Sequence, residues 1–195
     1  ASAPMAHREM RRGVAGLVLV YKVAGASAAA GATLAQVAAV ARKANDACRS
    51  IGVAMSPCVV PESGQASFSI DAGDVEFGMG IHGEPGIWRG PLKKADALAD
   101  EMLAHVLPEL SLASGDRVAV LVNSLGATPA EELYILYRRV ASVLAERGVT
   151  VVRPLVGRYA TSMEMAGASL SVMKLDAELE TLLAAPAHCP FWSVR

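Results

Sequence analysis

The apolar positions of this chain change period several times, and the changes mark out alternating helices and strands. Thr33–Ser50 carries Leu34, Val37, Ala41, Ala44 and Cys48 at helical spacing on one face. Thr33 and Gln36 stand at capping-box separation, and Gly52 is the expected stop. Leu92–Leu107 repeats the amphipathic pattern and closes at Pro108, and Asp176–Ala184 reads as a terminal helix. Arg117–Asn123 is a continuous apolar run of strand length, expected to be buried on both faces. It leads into Thr128-Pro-Ala-Glu131, where a cap, an N1 proline and an N3 carboxylate open a long helix to Arg147, ended by Gly148.

Shorter apolar segments fill the intervals. Val149–Val156 and Ala168–Leu175 are strands, as are Ala54–Val60 and Ala66–Ile70 about the turn residues Pro61–Gly64. Val75–Ile81 is a further strand. Val14–Tyr21 fits a buried strand or a buried helix by periodicity alone, and the alanine-rich run after it favours helix. The short Tyr159–Gly167 connection favours antiparallel neighbours. The expected fold class is therefore α/β, a layered domain with a mixed sheet packed by helices. Residues 1–10 form a flexible tail and residues 11–195 a single domain.

Composition narrows the function. The chain has 195 residues, 53% of them hydrophobic and 19% charged, with net charge −1. Basic residues such as Arg11-Arg12, Lys93-Lys94 and Arg138-Arg139 cluster as short pairs, so no stripe suited to nucleic acid or an anionic membrane is expected. No apolar run approaches the ~18 residues of a membrane span, and no secretory signal pattern opens the chain. Cys48, Cys58 and Cys189 are odd in number and widely spaced, which reads as reduced thiols in a cytoplasmic protein.

The candidate chemistry lies in Phe77-Gly-Met-Gly-Ile-His-Gly-Glu-Pro-Gly-Ile87, which sets His82 in a glycine-dense turn at the end of an apolar run. Its four glycines remove side-chain bulk, so a small molecule could approach the imidazole closely. Gly78-x-Gly80-x-x-Gly83 matches the dinucleotide pattern in letters only, because Glu84-Pro85-Gly86 turns the chain where that motif requires a helix. His82-x-Glu84 lacks the downstream Pro-Cys-x-x-Cys of a zinc deaminase, and no metal site is expected. There is no Gly-x-Ser-x-Gly elbow. Asn123–Pro129 joins a strand to a capped helix, a geometry open to an anion, but it has no Walker lysine. His7, His105 and His188 read as ordinary tail, helix and C-terminal residues, and Met163 and Met165 as core fillers.

The His82 segment closely resembles the part of dihydroxyacetone kinases that carries their substrate-binding histidine. Arg11-Arg-Gly-Val-Ala-Gly16, Ile51-Gly-Val-Ala-Met-Ser-Pro-Cys58, Ser114-Gly-Asp-Arg-Val118, Leu125-Gly-Ala-Thr-Pro129, Glu132-Leu-Tyr-Ile-Leu-Tyr-Arg138, Val152-Arg-Pro-Leu-Val-Gly157, Ser162-Met-Glu-Met-Ala-Gly167 and Pro190-Phe-Trp192 resemble the same family in the same order. Ser124 stands where a glycine is expected, and Trp88 where the family varies. The resemblance covers the second half of the family's substrate-binding (K) region.

It implies that His82 binds a short hydroxyketone covalently as a hemiaminal, with Gly80, Gly83 and Glu84 around the substrate. The ketone would be dihydroxyacetone, with glyceraldehyde or erythrulose as further possibilities. It also implies that the first half of the K region supplies the remaining substrate contacts. ATP with magnesium, or a phosphotransfer partner, would come from an L-type nucleotide-binding domain or another subunit, with no cofactor held by this chain. Homo-oligomerisation is expected. A sensing or protein-interaction module derived from this family is the competing reading.

Overall fold

The computed structural model describes residues 2–81, 84–190 and 192–195. Met5–Met10, within the expected tail, forms a 3-10 helix kinked at His7. Gly16–Ala29 (α1) is helical, as the alanine run favours. Leu34–Asp46 (α2) follows behind the expected capping box. Thr33 Oγ1 accepts from Gln36 N, and Thr33 N donates to Gln36 Oε1 at 2.8 Å.

The helix stops well short of Ser50. Cys48–Ala54 (β1) is a strand paired over all seven residues with Gly167–Leu175 (β8), and that ladder overrides the helical spacing of Cys48. The packed face also differs from the expected one, since Val40 and Ala44 are buried and Leu34 is 86% exposed. Gly52 lies inside β1 and stops no helix. A Cβ there would stand 3.0 Å from the Met79 carbonyl and 3.2 Å from Val14, so the glycine admits close packing.

Val59–Val60 (β2) and Gln65–Ala66 (β3) are all that forms of the two strands expected about Pro61–Gly64. Asp74–Phe77 (β4) ends four residues before Ile81, because Gly78 turns the backbone at φ +83°. Trp88–Pro91 (β5) pairs back onto it. Ala95–Val106 (α3) continues as a 3-10 turn, Leu107–Glu109, that contains Pro108. Arg117–Ser124 (β6), Ala130–Glu146 (α4), Thr150–Gly157 (β7), β8 and Ala177–Ala184 (α5) follow the expected order. Asp176 caps α5 through Leu179 N at 2.9 Å. A hairpin of Ala187–Cys189 (β9) and Trp192–Val194 (β10) was not anticipated.

One sheet has the order β5-β4-β1-β8-β6-β7. Only β6 and β7 run parallel, so the sheet is mixed. The reason differs from the one expected: β7 and β8 are not neighbours, because the chain crosses over β6 between them.

Alternation along β6 fixes the layers. Val118, Val120 and Val122 share a core with Leu98 and Leu103 of α3 and Leu133, Leu136 and Val140 of α4. Ala119 and Leu121 face Leu19 and Val23 of α1 and Leu179 and Leu183 of α5. Apolar burial on both faces explains a strand with no polar side. A third, smaller cluster of Ala54, Cys58, Met79, Leu125 and Met165 closes one end of the sheet, and Ile81 packs against it. The chain leading up to His82, at Met79 and Ile81, is thereby tied to the ends of β1 and β6.

Candidate functional site

The segment between β4 and β5 is held at its neck. Ile87 N donates to Phe77 O at 2.7 Å, and Gly78 N donates to Gly52 O at 2.7 Å. Glu76, 7% exposed on β4, accepts from Gly86 N through Oε1 at 2.8 Å. Its Oε2 accepts from Arg89 Nε at 2.7 Å and from Arg89 Nη2 at 2.5 Å. The register of the hairpin sets Arg89 directly opposite Glu76. Below the neck, Phe77 stacks on Trp88 with centroids 5.4 Å apart and planes 9° apart, and His105 lies 5.2 Å from Phe77. Lys93 Nζ stands 4.8 Å from the Trp88 ring centroid.

His82 and Gly83, the first of them the central sequence expectation, lie outside the described residues. Gly80 and Glu84 are brought together. A Cβ on Gly80 would fall 2.3 Å from Glu84 Oε2 and 3.0 Å from Arg12 Cβ. The room at Gly78 is likewise taken by Ile87, and that at Gly86 by the Phe77 carbonyl, 2.3 Å from a Cβ there. At these three positions the missing side chain admits protein atoms, where the sequence suggested space for a small molecule.

In the other strand-exit loop the side chains of Asn123, Ser124 and Thr128 are spent on protein partners. Asn123 Nδ2 donates to Ala160 O at 2.8 Å, and its Oδ1 accepts from Tyr159 N and Ala160 N. Ser124 Oγ donates to Thr128 O at 2.8 Å and accepts from Gly126 N. Thr128 Oγ1 donates to Gly167 O at 2.7 Å and accepts from Gly167 N at 2.8 Å. The amides of Leu125 and Ala127 bond Gly167 O and Met165 O. Thr128 is therefore a buried clamp on β8, not the cap of α4, whose N-cap is Pro129 with no side-chain bond. Met165 is a core residue as expected, whereas Met163 is 46% exposed at φ +50°.

An open groove of about 920 Å³ lies along α1, α2 and β1 and meets the candidate loop at Arg12 and Gly13. Gly13 O accepts a long bond of 3.4 Å from Ile81 N. Arg11, Arg12, Arg42 and Arg49 line the groove with Val14 and Leu17, and no described residue of the loop does. Glu109 braces two of these arginines. It takes Arg11 as a fork at 2.6 and 2.8 Å and Arg49 Nε at 2.8 Å. Burial pushes its carboxyl up, but the guanidiniums of Arg11 and Arg49 outweigh burial and hold it below the usual range. Cys48, also lining the groove, is pushed up to about 11 by burial and is a poor nucleophile. Among the described residues no group of three His, Cys, Asp or Glu side chains could hold a metal ion.

Glu76, Arg89 and Arg12 are the residues that sequence reasoning missed. An acid between Val75 and Phe77 in an otherwise apolar strand, with an arginine at matching hairpin register, is the signal that points to the first two.

Comparison with known proteins gives these features a family. The Dak1 domain matches residues 1–191. The chain is 46% identical over 186 residues to the dihydroxyacetone-binding subunit DhaK of a PTS-dependent dihydroxyacetone kinase from Listeria innocua, covering 95% of this chain and 56% of that subunit. It is 46% identical over 193 residues to an L-erythrulose kinase from Pectobacterium atrosepticum, covering 97% of this chain and 33% of the enzyme. Among solved structures, the dihydroxyacetone kinase operon co-activator DhaQ superposes with a TM-score of 0.82 at 30% identity, over 89% of this chain and 54% of that one. The chain thus spans about half the length, or less, of the relatives it matches. No helix among the described residues is long and apolar enough to cross a membrane. With a family match across nearly its whole length and a DhaK-like fold beneath it, the chain belongs to the Dak1 domain family, the DhaK region of dihydroxyacetone kinases.

Proposed function

We propose that this chain is the histidine-bearing second half of the K region of a dihydroxyacetone-type kinase, in a cytoplasmic assembly. The observation that carries the reading is the Phe77–Ile87 segment, which bears His82 and is latched at its neck by Glu76, Phe77 and Gly86. Ties at the ends of a segment lower the entropic cost of positioning a group that it carries.

An ordinary imidazole, with pKa about 6.5, is mostly neutral near pH 7, and the neutral ring is the nucleophile. The unprotonated ring nitrogen of His82 adds to the ketone carbon, and the carbonyl π pair moves to oxygen, which takes a proton. The other ring nitrogen releases its proton, so a neutral hemiaminal forms and no water leaves. The adduct holds the substrate while its terminal hydroxyl attacks the phosphoryl donor. Glycerol has no carbonyl and cannot be held in this way. Gly80, Gly83 and Glu84 flank the adduct, and the first half of the K region completes the pocket. ATP and magnesium, or a phosphotransfer protein, act from an L-type domain or subunit. Dihydroxyacetone is the default ketone, with glyceraldehyde and erythrulose next. Exposed Tyr134 and Ile135 on α4 fit cover by another copy or partner.

The likeness to a co-activator favours a second reading, a hydroxyketone sensor that phosphorylates nothing. Turnover separates the two. The purified chain with dihydroxyacetone and magnesium-ATP should give none, and adding the missing K portion with an L-type domain or phosphotransfer partner should restore phosphorylation. Turnover by the chain alone would overturn the division of labour. A complete assembly that binds ketone without phosphorylating it would establish the sensor.

A further inference from the structure

We propose that Glu76 is a positioning residue for the covalent step, acting through the neck of the loop and not on the substrate. The proposal rests on the reading of His82 as the attachment residue. Both Glu76 oxygens are occupied, Oε1 by Gly86 N at 2.8 Å and Oε2 by Arg89 at 2.7 and 2.5 Å, so the carboxylate has a mechanical part to play.

Stability alone is a poor reason for this residue. A carboxylate 7% exposed costs desolvation, and its partner Arg89 has a side chain 43% exposed, so the pair gains little as an ion pair. Val75 and Phe77, its neighbours on β4, show that apolar side chains suit the strand. What an apolar residue cannot do is accept from Gly86 N. Among the described residues, that bond and Ile87 N to Phe77 O bring the end of the loop back to its start. His82 is five residues from Phe77 and five from Ile87, so opening the neck changes the reach of both arms of the loop. Arg89 orients the carboxylate: a fork on Oε2 leaves Oε1 aimed at Gly86.

The test uses the complete kinase assembly carrying E76A, E76Q or R89M in this chain, with H82A as reference. Adduct occupancy by native mass, kcat and KM for dihydroxyacetone, and amide hydrogen exchange are measured on each. E76A should lower adduct occupancy at subsaturating ketone and kcat/KM about tenfold. It should speed exchange at Gly86 and Ile87, while the amides of the β1–β8 ladder keep their protection. E76Q retains an acceptor for Gly86 and should recover most of both losses, with R89M between them. A merely structural role would loosen the sheet amides as well and would not spare E76Q. If E76A fails to fold, G86A opens the same neck without touching a charge, and the same local exchange and adduct loss are expected.

Unchanged adduct occupancy and unchanged Gly86 exchange in a folded E76A or G86A assembly would overturn the proposal while leaving His82 in place. An adduct that persists in H82A would overturn the attachment reading instead, and the exchange results would still report whether Glu76 closes the neck.

Discussion

Two glycine-bearing loops leave the ends of strands in this sheet, and their described polar groups are tied to different parts of the molecule. Residues 124–129 after β6 turn every hydroxyl and the amides of Leu125, Gly126 and Ala127 inward, onto one another and onto β8. After β4, the described residues Gly78, Gly86 and Ile87 bond to Gly52, Glu76 and Phe77, and Ile81 bonds to Gly13. The first loop is a structural plug. The second is closed at its neck by Gly86 and Ile87, and its residues Gly80 and Ile81 lie against Arg12 and Gly13. Glycine content alone does not separate them; where the hydrogen bonds go does.

The sharpest way to break this comparison is to add one methyl group to each loop. Gly126 sits at φ +152°, and a Cβ there would fall 2.0 Å from the Met163 carbonyl within a fully bonded plug. Gly126→Ala should cost about 2–4 kcal/mol in denaturant unfolding. Thr128→Val, which strips both bonds to Gly167, should cost about 2 kcal/mol. Gly86→Ala also meets a carbonyl, at 2.3 Å, but at a loop end whose own amide is tied by the single bond to Glu76. It should cost about 1 kcal/mol and show its main effect in ketone binding. Equal stability losses at Gly86 and Gly126 would erase the distinction.

A smaller effect concerns the brace. Glu109 ties Arg11 and Arg49 together just ahead of Arg12 and Gly13, and its folded-state pKa lies below the unfolded one. Its contribution is therefore full above the ordinary glutamate value of about 4.3 and is lost as pH falls through the lower folded value. Glu109→Gln should remove that part of the acid limb of the stability profile, on the order of 1 kcal/mol at neutral pH. An unchanged acid limb would detach Glu109 from the brace.

Where one interaction dominates, the sequence was legible. The capping box at Thr33 acts locally, the unbroken apolar run of β6 is buried on both faces, and each appears where the spacing places it. Cys48 was misread because pairing with β8, more than a hundred residues away in sequence, outcompetes a helical period visible only nearby. Thr128 was misread for the same reason: its hydroxyl serves Gly167, not the helix beside it. At the candidate site, the segment bearing His82, Gly80 and Glu84 stood out by its glycines and by family resemblance. Glu76 and Arg89 did not, because a cross-strand pair is a property of hairpin register and becomes visible only once β4 and β5 are aligned.

The account rests on a bond between His82 and a ketone carbon, and native mass spectrometry of the complete K assembly reads it directly. With dihydroxyacetone at saturation, the wild-type chain should gain the full mass of the ketone, since addition expels no water, and the His82→Ala chain should gain nothing. An unmodified wild-type chain under those conditions, or an equal gain in the variant, would contradict it.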